Sequence, residues 1–207
     1  MERSNKYGKG REALLEATVN VVAERGLHGL TFRAVAELAG VNNTLISHHF
    51  GTKDALLHEA VAWATARSIR LSDLSAAEIV DADFARNLVE LVASEPQLQI
   101  FQYEFVLEAR RRPELREEAV ALYEGYIEAL EVALIRQGHT NTRPLARAVF
   151  AALDGLVIQQ LTVADAGVVR EAIECVGQLL EANLAQKKAR EALSGTGGRS
   201  GTWCPST

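Results

Sequence analysis

Proline, cysteine and aromatic side chains are scarce in this chain of 207 residues. It holds 4 prolines and 6% aromatics, too few turn-formers and strand-formers for a sheet protein, while Ala, Leu and Glu are abundant and favour helices. The two cysteines, Cys175 and Cys204, are too few for a disulfide framework and too far apart for a Cys-x-x-Cys site. No apolar run approaches the ~18 to 20 residues of a membrane span. The opening MERSNKYGKGR has no apolar signal-peptide core. These absences lead to the expectation of an all-helical, cytoplasmic chain with no membrane partner. A Gly-rich phosphate loop, a nucleophile elbow and a His-Glu-x-x-His motif are missing too. Asp54 and His58 are spaced i, i+4, and His48 adjoins His49, but no third ligand has metal-site spacing. No catalytic residue, cofactor or metal is therefore expected.

The formal net charge is −5, unfavourable at first sight for a polyanionic partner. Its distribution is uneven. Residues 1–58 carry seven basic side chains and six acidic ones, whereas the remainder carries 15 basic and 21 acidic. Four of the seven, Arg3, Lys6, Lys9 and Arg11, fall in the first eleven positions. Such an arm suits phosphate or minor-groove contacts, and equally suits a solvated tail.

The stretch TFRAVAELAGVNNTLISHHFGTKDALL, residues 31 to 57, reads as two short helices joined by a tight turn and followed by a third. Thr31 is a good N-cap, with Phe32, Val35, Ala36 and Ala39 at one-face spacing behind it. Gly40 can take the left-handed conformation that a sharp turn needs. Asn42 can cap the next helix, whose Leu45, Ile46 and Phe50 point inward while Asn43, Thr44, Ser47 and His48 face outward. An outer face of short polar groups fits a helix lying in a DNA major groove. Asn43 can pair with adenine and Thr44 can pack on a thymine methyl, although plain capping also accounts for both. Thr31 and Arg33 can hold one DNA strand. Lys53, at the first position of the following helix, opposes the helix dipole unless a phosphate lies between them. His49 is expected to pack beside Phe50.

This segment resembles the DNA-binding domain of the tetracycline-repressor (TetR) family of bacterial regulators. The resemblance is carried by Thr31, Ala36, the Ala39-Gly40-Val41 turn, His49-Phe50, Lys53 and Leu56, with Ala17, Val21, Val22 and Gly26 before them. It covers roughly the first 60 residues. The chain departs from the family at Ser47, where most members carry a phosphate-contacting Tyr, and at Thr44 and Leu45. The resemblance implies an N-terminal three-helix helix-turn-helix domain, a C-terminal helical ligand-binding and dimerisation domain, a double-stranded operator DNA and a small-molecule effector.

The remainder reads as longer amphipathic helices. One spans about 83–93. A capping box, Ser94-Glu95-Pro96-Gln97, is expected to open the next, at 97–111. Pro113 starts another that ends near Gly138, Pro144 starts one reaching Leu161, and the last covers about 168–188. Residues 194–207 are Gly- and Ser-rich and are expected to be disordered. The expected divisions are thus 1–58, 59–193 and 194–207. Ala148, Ala152 and Gly155, flanked by Val149, Leu153, Leu156 and Gln160, and the Val169, Ile173, Val176, Leu180 stripe suit either an internal seam or close helix approach. The resemblance makes helices 144–161 and 168–188 a homodimer interface. It also makes Trp63, Phe101, Tyr103, Glu104, Tyr123 and Tyr126 candidates for lining an effector pocket, though core packing explains each of them. EARRRPELRE and ALDGLVIQQL are loosely similar to the choline-operon repressor subgroup. The expected function is a ligand-responsive regulator, more readily a repressor. The alternative is a helical small-molecule-binding protein without operator-specific DNA binding.

Overall fold

The computed structural model describes residues 2–72, 74 and 80–195, with side chains from 10 to 190 within those spans. Among them are nine α-helices and no strand: α1 (Glu2–Arg25), α2 (Phe32–Ala39), α3 (Asn43–Phe50), α4 (Lys53–Leu71), α5 (Ala82–Ser94), α6 (Pro96–Ala109), α7 (Arg116–Arg136), α8 (Thr142–Thr162) and α9 (Ala166–Gly195). The 196–207 part of the expected disordered tail lies outside the described residues, as do the side chains of Arg3, Lys6 and Lys9.

Helix α1 begins at Glu2, so the basic arm is part of the helix. It packs against α2, α4 and α6, burying Leu14, Ala17, Val21 and Val22. Thr18 is fully buried, and its hydroxyl donates to the Leu14 carbonyl at 2.8 Å, which satisfies the one polar group on that face. The 58/59 division falls inside α4, which runs through it unbroken.

Further along, α7 packs on α8 and α4, and α9 on α5 and α8. Within α8, Ala146, Val149, Leu153 and Val157 are buried, as are Val169, Ile173 and Leu180 of α9. The branched stripes of both helices thus form the internal seam. Ala148, Ala151 and Ala152 remain exposed on the other side of α8. Arg143 and Arg147 tie α8 to Glu124 of α7, and Arg143 also reaches Glu131 at 3.0 Å. Among described residues α8 is the one helix long and apolar enough to match a membrane span, with a mean hydropathy of 1.2. Arg143, Arg147 and Asp154 interrupt that stretch, so the sequence shows no unbroken apolar run there.

Four local expectations need correcting. The capping box at 94–97 does not form, because a single residue separates α5 from α6. Ser94 instead ends α5 and donates to the Leu91 carbonyl at 3.3 Å, while Glu95 accepts from Arg67 of α4 at 3.2 and 2.5 Å. Pro113 begins a short 3-10 turn, Pro113–Leu115, and α7 follows it. Helix α8 begins at Thr142, leaving Pro144 in its first turn, where a missing N–H costs nothing. Leu45 of α3 is 38% exposed rather than inward-facing.

At Gly177 the α9 backbone lies close against Val80. A Cβ there would stand 1.9 Å from the Val80 carbonyl oxygen. Gly177→Ala should therefore destabilise the chain by about 1–3 kcal/mol despite the better helix propensity of Ala. Urea denaturation followed by circular dichroism checks this, and an unchanged midpoint would contradict the packing described.

Candidate nucleic-acid interface and internal cavity

Three short-range caps build the outer face. The Thr31 side chain accepts from the Ala34 N–H at 3.1 Å, Asn42 from Thr44 at 2.9 Å and Thr52 from Ala55 at 3.1 Å. Gly40 ends α2 in the left-handed region, at φ 66 and ψ 33, and the Val41 N–H donates to the Ala36 carbonyl at 3.0 Å. This turn sets α3 across α2. Ile46 and Phe50, 0% and 6% exposed, anchor α3 to the core.

All eight residues singled out for DNA contact lie exposed or half-exposed: Thr31, Arg33, Asn42, Asn43, Thr44, Ser47, His48 and Lys53. Ser47 donates to the Thr44 carbonyl at 3.0 Å, which leaves its oxygen able to accept. Lys53 is the first residue of α4, beside the N–H groups of the helix terminus. His49 is half-buried, with its ring 6.0 Å from that of Phe50. Burial, then the charges of His48 and Arg11, lower its pKa. Arg11 of α1 stands over the Phe50 ring at 5.0 Å and pairs with Glu59 of α4. Asp54 and His58 each turn to a different partner: Asp54 to Arg112 at 3.9 Å, His58 to Glu118 at 3.5 Å.

A second feature lies deeper. A cavity of about 50 Å³ opens among α4 to α8. Its walls are Ser68 of α4 and Ser72 just after it, Gln99, Gln102 and Tyr103 of α6, Tyr123 and Tyr126 of α7, and Phe150, Leu153, Asp154 and Val157 of α8, with Leu74, Leu88 and Leu122. Of the six pocket candidates it gathers three, Tyr103, Tyr123 and Tyr126. Phe101 is 0% exposed in the apolar core, and Glu104 is exposed on α6 beside Gly26. Trp63 sits in a surface cleft with Glu16, Glu24 and Glu95, its ring 5.4 Å from the Arg67 guanidinium. These three stand apart from the cavity.

Sequence reasoning missed Asp154, the polar centre of that cavity. The Tyr103 hydroxyl donates to its carboxylate at 2.9 Å and to its backbone carbonyl at 3.0 Å, and the Tyr123 hydroxyl lies 3.5 Å from the second carboxylate oxygen. Burial pushes the Asp154 pKa up, against the two tyrosine hydrogen bonds that lower it. Burial also raises the phenols, Tyr123 and Tyr126 to about 12 each and Tyr103 further. All three stay neutral donors at physiological pH. The available signal was the spacing of Phe150, Asp154 and Val157, an acid at i+4 on an otherwise apolar stripe.

Both halves of the chain are similar to known proteins. Residues 14–60 match the family described as bacterial regulatory proteins, tetR family, and residues 80–182 match the tetracyclin repressor-like C-terminal domain. A solved TetR-family protein from Streptomyces coelicolor A3 is 31% identical, with 81% of this chain and 97% of that one covered at a TM-score of 0.61. The multidrug binding protein EbrR, solved with imidazole, is 32% identical over 80% of this chain and 93% of its own, at a TM-score of 0.57. The HTH-type transcriptional regulator BetI of Burkholderia thailandensis is 42% identical over 67 residues, which is 32% of this chain but only 31% of that protein.

The buried carboxylate gives a stability test. Asp154 titrates higher in the folded chain than in the unfolded one, so ionisation costs stability as pH rises above the ordinary carboxylate range near ~4. Asp154→Asn, which keeps an acceptor for Tyr103, should melt higher than the native chain at pH 7. The difference should close below about pH 4. Calorimetric melting across that range checks it, and equal melting temperatures at pH 7 would refute the assignment.

Proposed function

The chain belongs to the tetR family of bacterial regulatory proteins, a DNA-binding transcriptional regulator, and from that premise we propose that it is a dimeric repressor controlled by a small-molecule effector. In this reading residues 1–58 carry the DNA contacts, and 59–193 carry the effector cavity and the dimer face. The observation that carries it is the outer surface of α3. Asn43, Thr44, Ser47 and His48 are exposed together, with Arg33 and Lys53 at its flanks. Short polar side chains can reach base edges, and the two cations suit phosphates on either side. Two such helices, related by a twofold axis and about 34 Å apart, enter successive major grooves of a palindromic operator. The partners are thus double-stranded DNA and a second copy in the cytoplasm.

The dimer reading is supported by the outer faces of α8 and α9. Ala148, Ala151 and Ala152 are exposed, Ile158 is 43% exposed, and Val168 and Leu179 are 62% and 66% exposed. Small residues allow close helix approach, and the larger apolar groups gain by being covered. A Cβ at Gly155 would meet nothing within 4 Å in the single chain, so that position is open to a partner.

Effector control is supported by α4. Its first turn adjoins α3, and its last turn, with Ser68 and the adjoining Ser72, walls the cavity. A ligand that prefers a wider cavity would tilt α4 and weaken DNA binding; one with equal affinity for both arrangements would change nothing. EbrR, the similar protein, has been solved with proflavin and with ethidium as well as imidazole.

Three substitutions test the reading through operator titration. Lys53→Ala should weaken binding evenly across sequences and reduce the salt slope by about 1, while Asn43→Ala should relax preference at one base position, at about 1–3 kcal/mol. Equal loss from both on every sequence would argue against base reading by α3. Ala152→Glu, on the exposed side of α8, should leave the fold intact yet give monomers in sedimentation and abolish operator binding. A dimeric Ala152→Glu protein would remove this face from the account.

A further inference from the structure

We propose that the cavity among α4 to α8 takes a small organic monocation, a quaternary ammonium or protonated amine with a compact apolar head, held by the Asp154 carboxylate and the faces of Tyr123, Tyr126 and Phe150. The inference rests on reading this cavity as the effector site.

Charge selects the sign of the ligand. Among the described residues no Lys, Arg or His pairs with Asp154, whose partners are the neutral hydroxyls of Tyr103 and Tyr123. The other polar side chains of the wall are matched among themselves. Gln99 donates to the Ser68 hydroxyl at 3.0 Å, Gln102 donates to the Leu98 carbonyl at 3.1 Å, and the Tyr126 hydroxyl donates to Gln102 at 2.7 Å. A single negative charge is left in an otherwise satisfied pocket. Buried charges are normally paired, and the complementary partner is a cation.

The wall beside that charge selects the kind of cation. The Phe150 ring stacks on Tyr126 at 5.3 Å and meets Tyr123 edge-on at 5.1 Å. The three rings touch through Phe150 and line the same cavity as the carboxylate. Ring faces attract cations through their quadrupole, most strongly when the site is desolvated, and quaternary ammonium groups are bound in this way. An anionic ligand would meet Asp154 with like charge, and a neutral one would leave it unmatched. Burial also raises Asp154, so a bound cation relieves a cost that the buried carboxylate otherwise carries.

Size narrows the class. A volume of about 50 Å³ holds one or two water molecules at a liquid share of about 30 Å³ each. That is about a third of the ~150 Å³ that holds a benzene ring, so the head group, like the body of a larger ligand, enters as the helices spread.

Calorimetric titration of the full-length protein with benzyltrimethylammonium, and with its uncharged carbon isostere neopentylbenzene, tests the assignment. The cation should bind, the isostere at least tenfold more weakly. Asp154→Asn should lose at least tenfold in affinity for the cation with little change for the isostere. Phe150→Leu, which keeps apolar volume but removes a ring face, should lose several-fold for the cation. Circular dichroism melts establish that both variants fold. No heat with the cation at millimolar concentration, equal affinity for the isostere, or undiminished binding in folded Asp154→Asn would each overturn the proposal. DNA retention is read separately. Cation binding that leaves DNA retention unchanged would remove the effector reading and leave the cation site standing. Absent cation binding in a protein that still holds DNA would remove the cation site alone.

Discussion

The molecule depends on an eight-residue helix that cannot stand by itself. Isolated helices shorter than ~12–15 residues are marginal in water, and α3 has 8 residues. It is held by Ile46 and Phe50 in the core, by the Asn42 cap at its start and by the left-handed turn at Gly40 before it. Anchoring through only two inward side chains is what frees the outer positions for short polar groups. Were α3 to bury more of itself it would be steadier, and it would have nothing left to present to a duplex.

Helix α4 carries that local arrangement into the rest of the chain. It starts just after α3 ends, receives Arg11 of α1 at Glu59, and reaches α6 through Ser68 and Gln99, while Arg67 grips Glu95 at the junction of α5 and α6. From Lys53 to Ser68 it spans about 22 Å at 1.5 Å per residue. Packed helices slide or tilt more readily than they bend. In the proposed effector control, occupancy of the cavity and the attitude of α3 are linked through this one helix.

Features governed by near neighbours along the chain are legible in the sequence itself. Thr31, Asn42 and Thr52 cap because a side-chain oxygen reaches an N–H two or three residues ahead, a contact that needs no tertiary partner. The glycine turn and the exposure of Asn43, Thr44, Ser47 and His48 follow from the same local rules. Features decided between helices are less so. Ser94 to Gln97 have the letters of a capping box, but the tight junction of α5 with α6 leaves Ser94 inside a helix and sends Glu95 to Arg67. Phe101 has the composition of a pocket wall and, like Phe105, is 0% exposed in the core. Leu45 lies at the edge of the inward stripe, where spacing alone does not decide. Asp154 escapes notice because it stands in an apolar run that reads as a packing seam. Only its convergence with Tyr103 and Tyr123, 51 and 31 residues away, makes it the centre of a site.

The account is tested most directly by selecting ligands for the full-length protein from a pool of randomised duplex DNA at moderate salt and sequencing what is retained. It predicts an inverted repeat whose half-sites are centred about one helical turn apart, close to ~10 base pairs. A pool that shows no enrichment, or a lone motif without its mirror image, would contradict it.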